Sequence, residues 1–211
     1  TDWAAMESGT TQELRHIFGM AEDDIYAVGD NGMILHYDGT GWDAMDSGTT
    51  EVLTSVWGPD PSHVFAVGAN ETVLHFDGTD WSPIRTPASD DTFLNVWGTA
   101  HDDLYVTSYY HNRLLHYDGT GWSETLIEGA VDTRGVWGEG AGSVFVSDSY
   151  SGLYFFDGSS WETLRKTGNR FRSVTDLAAH PTDPAVVYAA TYKAGVYLSP
   201  NQADNWLNLG T

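Results

Sequence analysis

Arginine and tyrosine carry the chemistry most visible in this chain. Arg15, Arg134 and Arg172 stand at equivalent points of a repeating pattern, and Tyr109, Tyr110, His111, Tyr150, Tyr192 and Lys193 fall where the repeats differ most. A guanidinium forks two parallel N–H donors onto a carboxylate, and tyrosine offers a flat face with a hydroxyl at its edge. Converging, these side chains would bind a carboxylate-bearing or otherwise polar ligand, with sugars as natural candidates. The competing expectation is pairing within the chain, since Glu13, Asp132 and Asp148 are acids local to the arginines.

Other constellations point away from catalysis. His36, His75 and His116 recur at one position that Phe155 fills in a further repeat, so the position calls for bulk rather than a metal ligand. Asp23-Asp24 and Asp102-Asp103 could attract calcium, but no Asp-x-Asp-x-Asp-Gly loop with a distal Glu accompanies them. A glycosidase needs two carboxylates flanking a cleft, or a tyrosine nucleophile beside a carboxylate and an arginine triad. Short repeats leave little room for the insertions that build such a pocket. There is no cysteine, which excludes disulfides and thiolate metal sites. No phosphate loop, nucleophile elbow or zinc spacing is found. The chain is therefore expected to be non-enzymatic, with no metal and no cofactor.

The elements that must position these residues are set by an internal repeat. Trp3, Trp42, Trp81, Trp122, Trp161 and Trp206 recur roughly every 40 residues, the period of a propeller blade. Between them return Ile17-Phe18-Gly19, Val56-Trp57-Gly58, Val96-Trp97-Gly98 and Val136-Trp137-Gly138. Next come Ile25-Tyr26-Ala27-Val28-Gly29 and its match Val64-Phe65-Ala66-Val67-Gly68, and then Leu35-His36-Tyr37-Asp38-Gly39 with its counterparts at 74–78, 115–119 and 154–158. Asp-Gly between strand-like runs signals a hairpin. Each unit reads as four short strands, which predicts an all-β fold: a five-bladed β-propeller of four-stranded antiparallel blades.

Taking Val-Trp-Gly as the innermost strand, the blades cover about 11–48, 49–86, 90–127, 130–166 and 169–211 of one domain, and the last is divergent. Residues 1–8 form a surplus outer strand, Trp3-Ala4-Ala5-Met6. Closure of the ring by this strand in place of residues 205–210 is the favoured expectation. Strand addition to a second copy, or excision from a longer propeller, are the alternatives. The start at Thr1 without an initiator Met is expected of a processed or excised chain.

In this layout the Asp-Gly turns share one face of the disc. The connections between second and third strands share the other, where Tyr109-Tyr110-His111-Asn112-Arg113, Asp148-Ser149-Tyr150-Ser151 and Thr191-Tyr192-Lys193 replace the plainer Asp30-Asn31-Gly32. The starts of the innermost strands bring the three arginines to that second face.

With its aromatic-Gly, "AVG" and "HYDG" strands, the chain resembles secreted bacterial and archaeal propeller repeats of the photosystem-assembly-factor-like and sialidase Asp-box kinds. Gly195 to Trp206 resembles a degenerate Asp-box, with Asn201 where Asp is usual. The resemblance implies a propeller in an extracellular, periplasmic or cell-surface setting, and no single function.

Charge narrows the partners. Nine Lys and Arg against 30 Asp and Glu give a net charge of −21, which repels phosphate backbones and anionic membranes. No stretch approaches the roughly 18 apolar residues of a membrane span. Expected partners are a protein or a glycan, with no nucleic acid, no membrane insertion, and a possible homo-oligomer through residues 1–8. The function expected is a binding or scaffold propeller. Lectin-like carbohydrate binding and a structural subunit assembling by strand addition are the alternatives, followed by an Asp-box glycosidase.

Overall fold

A computed structural model of the chain describes residues 6–87, 91–140, 142–150, 152–163, 174–180, 183–191, 195–199 and 207–209. They form twenty strands in five four-stranded antiparallel sheets, each in simple up-and-down order. The first sheet is β1 (Leu14–Ala21), β2 (Asp24–Gly29), β3 (Ile34–Tyr37) and β4 (Trp42–Met45). The second is β5 (Leu53–Asp60), β6 (His63–Gly68), β7 (Val73–Phe76) and β8 (Trp81–Pro83). The third is β9 (Phe93–Ala100), β10 (Asp103–Ser108), β11 (Arg113–Tyr117) and β12 (Trp122–Leu126). The fourth is β13 (Thr133–Gly140), β14 (Ser143–Asp148), β15 (Leu153–Phe156) and β16 (Trp161–Thr163). The last is β17 (Val174–His180), β18 (Asp183–Thr191), β19 (Gly195–Ser199) and β20 (Leu207–Asn208).

The hydrophobic core lies in the seams between sheets. Side chains alternate across a strand, so a sheet covered on both faces reads as a continuous apolar run. In β6, Val64 and Ala66 face the first sheet, packing with Tyr26, Val28 and Ile34. Phe65 and Val67 face the third, packing with Phe93, Val96 and Leu104. Two further seams follow, around Tyr105, Val136 and Val144 and around Phe145, Val187 and Ala189.

These seams explain the aromatic-Gly pair. The rim of Trp57 lies where a side chain on Gly98 would be, 3.0 Å from an ideal Cβ, and Trp97 stands in the same way 2.8 Å from one at Gly138. β5 and β9 thus each hand an indole to the next inner strand's glycine, and any larger residue there would collide with it.

The repeated turns have a common cause. Asp38 accepts hydrogen bonds from the Thr40 N–H at 2.8 Å, the Thr40 hydroxyl at 2.7 Å and the Gly41 N–H at 3.1 Å, while Gly39 sits at φ 88°. Asp118 and Asp157 repeat the arrangement, and Asp77 repeats its backbone part with the N–H groups of Thr79 and Asp80. The Thr40 and Ser159 side chains, helped by backbone N–H groups, hold Asp38 and Asp157 down to about 2, and Asp118 is held there by the N–H and hydroxyl of Thr120. The recurrent histidines pack as bulk: His36 stacks on Tyr26 at 4.5 Å, His75 on Phe65 at 4.6 Å and His116 on Tyr105 at 4.4 Å.

Inner strands pack in the order β1, β5, β9, β13, β17, but no such seam joins β17 to β1 among the described residues. Residues 1–5 of the expected surplus strand lie outside the described residues. β20 is the outer strand of the last sheet, pairing Leu207 with Leu198 and Asn208 with Tyr197. On the first sheet Leu14 and Ile17 are exposed.

Candidate functional site

The first four inner strands start around one cavity of ≈220 Å³, lined by Arg15, Thr54, Leu94, Asn95 and Arg134. It opens on the face opposite the Asp-Gly turns. Thr54 is fixed there by its hydroxyl, which donates to the carbonyl of Phe93 at 2.6 Å.

The two arginines at this mouth are held differently. Arg15 Nε donates to Asp30 Oδ1 at 2.6 Å, with Glu13 a looser 3.9 Å away. The Asp30 hydrogen bond, opposed by burial and aided by both acids' charges, raises its pKa. Its charge is largely answered within the chain, chiefly by an acid other than the three sequence-adjacent candidates. Arg134 has no carboxylate partner among the described residues. Its guanidinium lies over the Tyr109 ring, 5.4 Å from the centroid, and its buried Nε has no hydrogen-bond acceptor among the described residues. Cation–π contact offsets part of the lost hydration and leaves the outer N–H groups available. Its neighbour acids are committed elsewhere: Asp132 accepts from the Ser149 hydroxyl, and Asp148 from the N–H groups of Tyr150 and Gly152 and the hydroxyl of Tyr154.

Beyond Tyr109, further tyrosines stand on the same face. Tyr109 and Tyr110 meet edge to face at 4.8 Å, with Tyr110 62% exposed, and Tyr150 on the next sheet's connection is 71% exposed. The loop carrying the first pair rests on a buried ionic cluster. Asp91, 2% exposed, accepts from His111 Nδ1 at 3.0 Å, Arg113 Nη2 at 2.8 Å and the Tyr110 N–H at 3.2 Å. Burial pushes the Asp91 carboxyl up, but hydrogen bonds from His111, Arg113, the Tyr110 N–H and Ser108 outweigh it, and the carboxyl titrates below its ordinary range. Arg113 Nη1 also reaches Glu124 at 3.1 Å.

Of the sequence candidates, Arg15, Arg134 and Tyr109 are brought together, and Tyr110 and Tyr150 stand at the same face. His111 turns its Nδ1 to Asp91 and supports the loop. Arg172, Tyr192 and Lys193, like Asn201 of the Asp-box stretch, lie outside the described residues. Sequence reading missed Asp91, Arg113 and Asn95. Arg113 had a signal: it occupies the place of Met33, Thr72 and Gly152 in the other repeats, a lone charge in an uncharged column.

No protein-family model matches the chain, and no curated protein does. Solved structures do. A structure of YCF48 bound to a D1 peptide aligns with 98% of this chain and 69% of its own at TM-score 0.73 and 18% identity. The WD40 β-propeller domain of Doa1 aligns with 97% of this chain and 70% of its own at TM-score 0.77 and 10% identity. YCF48 from Cyanidioschyzon merolae aligns with 93% of this chain and 85% of its own at TM-score 0.59 and 13% identity. The chain has a β-propeller fold. These neighbours match the photosystem-assembly-factor-like resemblance read from the repeats; at such identities they speak for the fold alone.

Proposed function

We propose that the chain is a non-enzymatic propeller scaffold that binds an extended segment of a partner protein across the second face. Arg134 takes a carboxylate of that segment, and Tyr109, Tyr110 and Tyr150 pack beside it. The observation that carries this reading is Arg134 itself: in a chain with 30 acids and 9 bases it is aimed into a cavity with no acid beside it among the described residues. Leaving a cation so placed costs free energy that a bound carboxylate returns, through charge-assisted bonds worth about 1.5–3 kcal/mol each. The structural likeness to a propeller seen with a peptide supports a protein partner. The setting proposed is extracytoplasmic, and it rests on the resemblance of the repeats.

The test is a peptide array graded from acidic to basic, probed with the labelled chain. Acidic peptides with an aromatic neighbour should bind, and Arg134→Gln should weaken the best of them at least about tenfold, the loss of one charge-assisted contact. Thr40→Ala, on the opposite face, should leave binding unchanged. Binding that ignores peptide charge, or survives Arg134→Gln, rejects the reading; a glycan array positive with the same residues would redirect it to sugars.

A further inference from the structure

The leading face of the first sheet breaks the pattern set by the sheets behind it. Val56, Val96 and Val136 occupy one repeat position and are 0%, 3% and 3% exposed, each covered by the preceding sheet. Ile17 occupies the same position and is 61% exposed. Leu53 and Phe93 are fully buried, and their counterpart Leu14 is exposed. Gly98 and Gly138 lie under the indoles of Trp57 and Trp97, whereas Gly19, like Gly58 behind Phe18, has only its own sheet among the nearest atoms. Beside Leu14 and Ile17 runs a groove of ≈550 Å³, also lined by Met6, Ala27 and Trp42. Its lining is largely apolar, the character of a seam with one side absent.

We infer that this face is a docking surface for one further β-blade of the same repeat, whose inner strand inserts an aromatic ring over Gly19. The other seams identify the occupant. Three times in this chain a surface of identical register is covered, and each time the cover is a sheet of this repeat. The chain also spans only 69–70% of the length of two propellers it superimposes on. Burying Ile17 and Leu14 would remove from water the two largest apolar groups that the repeat elsewhere keeps dry, which is what drives such seams.

The chain has no cysteine, so a single introduced thiol reports each position cleanly. In the 211-residue chain, Ile17→Cys should label with a thiol reagent at nearly the rate of a free thiol, and Val96→Cys about 100-fold or more slower, as local opening would then be required. A second chain carries a copy of residues 50–78 ahead of Thr1. The junction stays in register because Gly78-Thr79-Asp80-Trp81 is reproduced as the copied glycine followed by Thr1-Asp2-Trp3. There Ile17→Cys should become at least about 100-fold protected, and replacing the copied tryptophan alone by Ala should restore labelling by about tenfold or more. Val96→Cys in the same extended chain reports that the original sheets stay folded. Three results overturn the inference: continued fast labelling in the extended chain, slow labelling in the 211-residue chain at monomer mass, which means the last sheet covers the face, and slow labelling at dimer mass, which means a second copy does.

Discussion

Arg113→Met removes the charge beneath the Tyr109–Asn112 loop while keeping most of the side chain's volume. Asp91 would then be a buried carboxylate without its guanidinium partner. Breaking a buried pair in this way costs about 3–5 kcal/mol. The lower end applies here, because His111 and the N–H groups of Tyr110 and Thr92 remain on the carboxylate. The half-exposed Glu124 contact adds at most about 1 kcal/mol. A loss of about 3 kcal/mol corresponds to a Tm about 6–12 °C lower for a chain of this size. Denaturant titration with a matched thermal scan reads both. Adding Asp91→Asn removes the other charge, and the double variant should regain at least about half of the loss. A single variant within about 1 kcal/mol of the parent, or a double variant no better than the single, would refute the account of this cluster.

Three further outcomes follow from the seams and turns. Gly138→Ala places a Cβ against the Ser143 carbonyl and 2.8 Å from Trp97, so it should cost at least about 2 kcal/mol, read by denaturant midpoint, with Trp97→Leu in the same chain recovering part. His75 is kept from protonating by burial, then by His63 and His101. Its folded pKa is therefore below the unfolded value near 6.5, and stability falls as pH drops through 6.5; His75→Phe, copying Phe155, should flatten stability between pH 7.5 and 5.5. Asp38, Asp118 and Asp157, held down to about 2, contribute stability above pH 3.8 that is lost as pH falls toward 2. Asp38→Asn should reduce that acid dependence in a pH-jump unfolding series.

The repeats made the fold legible because a propeller writes the same physics several times. Aromatic-Gly marks the indole-on-glycine seam, and Asp-Gly-Thr marks a turn whose carboxylate caps two N–H groups. A residue seen repeatedly in one role is read more securely than one seen once. Packing histidines were legible for the same reason, since Phe155 showed what the position requires. The site was only partly legible. Equivalent numbering brought Arg15 and Arg134 to one mouth, but local sequence pointed to Glu13 while the fold delivered Asp30 from the far end of β2. His111 looked like a ligand-facing residue because its partner Asp91 is 20 residues away and buried. The last outer strand, Leu207–Asn208, follows Trp206 in the sequence, much as the other outer strands start at their tryptophans.

The most direct test of the scaffold account is hydrogen exchange on the chain alone and with its best-binding acidic peptide. The account predicts slowed exchange at the amides of 109–112 and 148–150, with the Asp-Gly turns at 38–41 and 118–121 unchanged. Protection confined to those turns, or spread evenly over the sheets, would contradict it.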